Sequence, residues 1–229
     1  MEGFVSNVDI CNLAFNGKLE LLKEKVLSDK SQATKIDQDN RTALHWACSA
    51  GCVDIVNFLL NFGVPVNDKD DAGWSPLHIA ASAGRDEIVK ALLAKGAQVN
   101  AINQNGCTPL HYASSKNKYE IVGMLLEGGA NPDAIDHLES TPLHRAAAKG
   151  NLKTIQVLLQ YNASINIQDA QGNTALHLAC DEERIEESKL LVSRGANIFL
   201  ENKENKTPLQ IAKGNLGTIL RRLWNTMQA

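Results

Sequence analysis

The sequence predicts an all-α solenoid of seven helix-turn-helix repeats with short β-hairpin-like connections, and three features carry that expectation. A four-residue motif returns at a fixed interval. It reads Thr42-Ala43-Leu44-His45, Ser75-Pro76-Leu77-His78, Thr108-Pro109-Leu110-His111, Thr141-Pro142-Leu143-His144, Thr174-Ala175-Leu176-His177 and Thr207-Pro208-Leu209-Gln210, with successive histidines 33 residues apart. Each copy reads as a helix start. Thr or Ser supplies an N-cap hydroxyl, Pro at the next position gives up an N–H that would be unpaired anyway, and Leu begins a buried stripe. A second apolar stripe then follows each copy, as in Ile55-Val56 with Leu59-Leu60 and Ile88-Val89 with Leu92-Leu93.

A period of this length carried by T-P-L-H is the signature of ankyrin repeats, whose units bury their apolar faces against neighbours instead of around one centre. Residues 4–36 read as an N-terminal cap repeat, with a second helix over Leu19–Leu27. Its outward side carries Lys18, Glu20, Lys23, Glu24 and Lys25, polar because no neighbour covers an end unit. Residues 37–69, 70–102, 103–135, 136–168 and 169–201 repeat one plan. Asp37, Asp70, Asn103, Asp136 and Asp169 open turns, and Gly73, Gly106 and Gly172 supply a positive φ three residues later. Gly51, Gly84 and Gly150 end the first helix, with Asn117 as a left-handed substitute and Glu183 outside the pattern. Residues 202–229 form a C-terminal cap repeat in which Gln210 replaces His and the final helix is expected to end in Arg221-Arg222-Leu223-Trp224. No linker or low-complexity run interrupts the array, so residues 1–229 are expected to be a single domain.

A net charge of −3 and the lack of any densely basic stretch give nucleic-acid binding no electrostatic support. Five cysteines, an odd number, fit a reducing compartment. The start Met1-Glu2-Gly3-Phe4 lacks a secretory signal, Glu2 stands where myristoylation needs glycine, and no run suffices to span a bilayer. The expectation is a soluble intracellular monomer.

Candidate chemistry is sparse. Helices pack about 8–10 Å apart and Zn–N distances are about 2.0–2.1 Å, so the evenly spaced histidines read as structural groups bonding their own Thr and a neighbouring backbone. Cys48 and Cys52 lack further zinc ligands nearby, and Ala72 and Ile79 stand where a calcium loop from Asp68 would need oxygens. No nucleotide-binding, hydrolase or zinc-protease motif is present. No catalytic residue, metal or cofactor is expected.

What remains is surface. In this plan the hairpin tips and the exposed side of the first helix line a concave face. The first helices present Ser49-Ala50, Ser82-Ala83, Ser115-Lys116, Ala148-Lys149 and Asp181-Glu182, small at one end, basic in the middle and acidic in the sixth repeat. The tips add Asp39, Arg41, Asp71, Trp74, Leu138 and Lys206, with Trp74 a candidate anchor. Trp46, Ile79, Tyr112 and Leu178, where Leu is usual, read as packing between repeats. Alternating charge points to a protein partner of complementary charge.

Beyond the generic repeat, the chain resembles the gankyrin family of ankyrin-repeat assembly chaperones of the proteasome regulatory particle. The resemblance rests on Asp37-Gln38-Asp39 with Arg41 through Gly51, on Val64-Pro65-Val66 through Trp74-Ser75-Pro76-Leu77-His78, and on Leu176 through Arg184 with its Asp181-Glu182-Glu183. It runs over nearly all 229 residues, the tail after Lys213 departing from the family. It implies a non-enzymatic chaperone of the cytoplasm and nucleus that binds the C-terminal domain of a proteasome ATPase subunit on the concave face, where the surface reading places Asp39, Arg41, Asp71, Trp74, Lys116, Leu138, Lys149, Asp181 and Glu182 as the candidate contacts. It also implies contact with a cyclin-dependent kinase, a ubiquitin ligase and the retinoblastoma protein, the last through the L-x-C-x-E match Leu178-Ala179-Cys180-Asp181-Glu182. Leu178, Ala179 and Cys180 recur at repeat positions and read as helical, with Cys180 buried, which leaves Asp181 and Glu182 to reach a partner. The alternative reading is an ankyrin-type inhibitor or adaptor of a kinase or transcription factor.

Overall fold

The computed structural model describes residues 4–228, and Met1, Glu2 and Gly3, on which the signal and myristoylation expectations largely rest, lie outside them with Ala229. The chain groups into two compact units, residues 1–104 and 105–229. The first holds three helix pairs: α1 (Asp9–Phe15) with α2 (Leu19–Ser28), α3 (Ala43–Ala50) with α4 (Val53–Phe62), and α5 (Pro76–Ala83) with α6 (Asp86–Ala94). The second holds four: α7 (Pro109–Ser115) with α8 (Tyr119–Glu127), α9 (Pro142–Lys149) with α10 (Leu152–Gln160), α11 (Ala175–Asp181) with α12 (Ile185–Ser193), and α13 (Pro208–Ile211) with α14 (Leu216–Gln228). No described residue lies in a strand, so the connections are turns. Among the described residues no helix is long and apolar enough to cross a membrane.

Within each unit the first helices stack on one another, α1 on α3 on α5 and α7 on α9 on α11, and the second helices stack outside them. The stacking works because the inward positions are small or unbranched at the contact: Ala47, Cys48, Ala80, Ala113, Ala146 and Ala179 are fully buried. The second helices bury Ile55 with Leu59, Ile88 with Leu92, Ile121 with Leu125 and Ile155 with Leu158.

Every T-P-L-H copy forms a capping box. In the fifth repeat, His144 Nδ1 accepts the Thr141 backbone N–H at 3.1 Å and lies 2.9 Å from Thr141 Oγ1. Accepting at Nδ1 puts the ring proton on Nε2, which donates to the Asn173 carbonyl of the next hairpin at 2.8 Å. His111 reaches Ser140 O at 3.0 Å, His177 reaches Lys206 O at 3.1 Å, and His45 reaches Asp68 O at 3.1 Å and Trp74 O at 3.3 Å. One side chain therefore closes a helix start and ties it to the following repeat. Gln210 repeats the first half of this, accepting the Thr207 N–H at 2.8 Å through Oε1.

Each turn is closed the same way by its opening residue. Asp70 Oδ1 accepts the N–H groups of Ala72 and Trp74, Asp136 Oδ1 those of Leu138 and Ser140, and Asp169 Oδ1 those of Gln171 and Asn173. Three residues on, the backbone is left-handed in every turn: Asn40 (φ 56°), Gly73 (77°), Gly106 (73°), Glu139 (56°), Gly172 (78°) and Asn205 (58°). At Gly73 a Cβ would also come within 2.9 Å of the Gln104 backbone nitrogen. Glu183, expected to fall outside the pattern, takes the same left-handed state (φ 56°) as Asn117 (55°), because the turn after the first helix imposes it on whatever residue is there. The last helix continues past Trp224 to Gln228 instead of stopping there; none of the residues after Trp224 is Gly or Pro.

Two outcomes are expected. Burial lowers the pKa of His45, His111, His144 and His177, so below the unfolded value of about 6.5 the unfolded chain binds more protons than the folded one. The contribution is complete above pH 6.5 (roughly) and is lost as pH falls from there towards the lowered folded values; urea midpoints should drop as the pH is taken below about 6.5, and a His177→Gln variant should drop less. Glu139→Gly should raise stability by about 1 kcal/mol, because it relieves a left-handed non-glycine residue, whereas Gly73→Ala should lower it; equal urea midpoints for all three proteins would contradict the turn geometry described.

Candidate protein-binding face

The residues that can meet a partner are those that neither the histidines, the turn aspartates nor the helix stacks consume. In the first unit the tips bring Asp39, Asn40 and Asp71 together: the Asp71 N–H donates to Asp39 O at 3.1 Å, and the Asn40 amide bonds the Asp71 carboxylate. Asp39 and Asp71 are exposed. Arg41 is more committed. Its Nε donates to Asp70 Oδ2 at 2.9 Å, and its guanidinium sits 5.1 Å above the Trp46 ring. Trp46 in turn donates its indole N–H to Asp37 at 2.8 Å and meets Phe15 of the preceding repeat edge-on. Trp74, expected at a tip with little to pack on, is half-buried with its ring 6.0 Å from that of His78. Arg41 and Trp74 thus present edges to solvent, and the two aspartates present the carboxylate oxygens that Gln38 and Asn40 do not bond.

In the second unit the tips are linked by the same single backbone bond, His137 N to Asn105 O, Ala170 N to Leu138 O and Lys203 N to Gln171 O. Lys116 caps the end of α7 and Lys149 is the last residue of α9, both exposed, and neither ammonium has an acidic partner among the described residues. Beside Lys116 a cleft of about 400 Å³ is lined by Tyr112, Ser115, Leu138 and Arg145, with Cys107 and Asp136 at its base. Leu138 stands 62% exposed over it. One member was not anticipated from sequence: Arg145 occupies the repeat position of Trp46 and Leu178, yet bonds the buried Asp136 carboxylate. Burial acts to raise the Asp136 pKa, but Arg145 and the N–H groups of Leu138 and Ser140 outweigh it and hold the group below the ordinary carboxylate value. The only sequence hint was a charge at a position otherwise apolar or aromatic.

At the sixth repeat, Asp181 and Glu182 are exposed while Leu178 and Cys180 belong to α11. The Cys180 thiol is fully buried, lies 3.8 Å from Ser188 Oγ, and is pushed by burial to about 11. The L-x-C-x-E stretch is therefore a helical turn whose cysteine faces inward. Among the described residues no group of three or more His, Cys, Asp or Glu is placed to hold a metal ion.

A family model described as ankyrin repeats in three copies matches residues 10–103, 66–136, 98–169 and 143–225. The chain belongs to the ankyrin-repeat family. It is similar to the human 26S proteasome non-ATPase regulatory subunit 10, at 76% identity over 76 residues, 33% of this chain and 34% of that protein. The mouse protein of the same name matches at 74% over 76 residues, 33% of each chain. These matches span about a third of the length of the relatives, a narrower stretch than the likeness expected from the sequence. Among solved structures, the human ASB11 ankyrin repeat domain superposes with a TM-score of 0.84 at 27% identity, over 94% of this chain and 97% of that one. The likeness to gankyrin, the proteasome subunit 10, is thus found, and the ankyrin-repeat fold makes the chain a protein-interaction module.

Removing Arg145 leaves the Asp136 carboxylate, only 4% exposed, without its ionic partner. Arg145→Ala should therefore cost about 1–3 kcal/mol in urea unfolding, whereas Lys149→Ala should leave stability unchanged. Equal effects would show that the ion pair holds nothing.

Proposed function

We propose that the chain is a non-enzymatic assembly chaperone of the proteasome regulatory particle, acting in the cytoplasm and nucleus. In this reading it holds the C-terminal domain of a proteasome ATPase subunit against the hairpin-tip face. The observation that carries the reading is the 76% identity to the human regulatory subunit 10. The exposed tips and helix ends support it: the first unit offers carboxylates at Asp39 and Asp71, and the second unit, taken by itself, offers ammonium groups at Lys116 and Lys149 with no acidic partner among the described residues. Exposed charges of this kind set register and on-rate more than they set affinity. Leu138, Trp74 and Arg41 supply the larger contact surfaces.

Contacts with a cyclin-dependent kinase, a ubiquitin ligase and the retinoblastoma protein are proposed from the same likeness. For the last, Asp181 and Glu182 are the accessible groups, because Cys180 is enclosed.

Lys116→Glu with Lys149→Glu tests the reading without disturbing a buried partner. Binding to the isolated ATPase C-terminal domain, followed by surface plasmon resonance, should weaken at least tenfold (roughly), mostly through a slower on-rate that high salt levels out. Unchanged binding, or a lysate pull-down dominated by kinase subunits instead of proteasome base subunits, would overturn it.

A further inference from the structure

We propose that the C-terminal repeat carries a second docking site, a cleft that takes a partner segment bearing several neighbouring carboxylates. This goes beyond the hairpin-tip reading and does not depend on it. The cleft, about 620 Å³, opens between the α13 turn and α14 and is lined by Phe199, Thr207, Leu209, Gln210, Arg221 and Arg222 among others. Helix α14 buries Leu216 and Leu220 and packs on α12. That orientation leaves Arg221 and Arg222 exposed on the side that faces the cleft.

Charge distribution identifies the ligand class. From Asn205 to the end, the sequence has Lys206, Lys213, Arg221 and Arg222 and no Asp or Glu, in a chain whose net charge is −3. Lys206 is paired with Glu204 at 2.8 Å and Lys213 with Glu183 at 3.4 Å. The two arginines have no acidic partner among the described residues. Both guanidiniums therefore face water inside a concave surface, where a carboxylate can form paired hydrogen bonds with each.

Geometry then selects a run of carboxylates over a single anion. Arg221 and Arg222 are consecutive helix residues whose side chains leave the axis about 100° apart, and both line the cleft, so they offer two separate guanidiniums along it. An acidic segment passing along the cleft meets them one after the other. Phe199, 54% exposed and edge-on to Trp224 at 5.9 Å, gives the segment an apolar wall, with Leu209 also lining the cleft. The Thr207 and Gln210 side chains are tied up in the capping box; Thr218 and Asn225 also line the cleft, and Arg221 and Arg222 are its charged lining residues.

The test uses the full chain and a fluorescein-labelled hexaglutamate peptide, followed by fluorescence anisotropy at low salt. Saturable binding is expected, weakened at least tenfold (roughly) by Arg221→Glu with Arg222→Glu, and unaffected by Lys116→Glu with Lys149→Glu. The milder Arg221→Gln with Arg222→Gln pair decides the matter if the reversed pair melts early. Equal affinity in the arginine variants overturns the proposal, as does absence of binding by the unaltered chain. Loss of binding in the lysine variants instead would place the peptide on the hairpin-tip face. Tighter arginine-dependent binding of anionic phospholipid vesicles or of a singly phosphorylated peptide would assign the cleft another ligand. Failure of the ATPase-domain assay leaves this result untouched.

Discussion

The structure depends on one imidazole bond used repeatedly. In the five internal repeats a histidine at the third position of the first helix accepts an N–H at the helix start, and His45, His111, His144 and His177 also donate to a carbonyl of the hairpin that follows, as His144 does between Thr141 and Asn173. Both groups it satisfies are backbone groups that burial would otherwise leave costly. The bond requires a neutral ring with a fixed tautomer, and the surrounding apolar packing enforces neutrality through burial. Local helix initiation and the spacing of successive repeats are thereby set by the same atoms. This is why the histidines, which look like metal ligands when counted, are consumed before any ligand arrives.

Because the scaffold takes its stability from buried histidines, turn aspartates and small residues at helix contacts, the tips and the exposed ends of the first helices are released from structural duty. The release is uneven. Arg41 is held by Asp70 and Trp46, and Arg145 by Asp136, so these cations belong partly to the scaffold. Lys116 and Lys149 are fully available. A mutational study that treated all four cations as equivalent would mix folding effects with binding effects.

Much of this was legible in the sequence, and the reasons differ by residue. The helix starts were readable because Thr, Pro and His each have a local preference that agrees with the repeat. Asn117 was readable as a left-handed residue because Asn tolerates that state, whereas Glu183 and Glu139 were not, since glutamate carries no such preference and the surrounding turn overrides it. Arg145 escaped notice because its repeat position reads as packing, and only the three-dimensional approach of Asp136 gives it a partner. The cleft beside α14 escaped notice because its lining comes from Phe199, the α13 turn and α14, which only the folded chain brings together.

The single backbone bond between neighbouring tips, such as Ala170 N to Leu138 O, has a consequence for how such a surface diversifies. A ladder of several bonds would couple each tip to the next, so that altering one would distort its neighbours. With one backbone bond per step, the tip side chains that make no bond to the next tip, unlike Asn40 with Asp71, can be exchanged while the rest keep their places. The binding surface is therefore editable one repeat at a time, and lineages can retune a contact without rebuilding the protein.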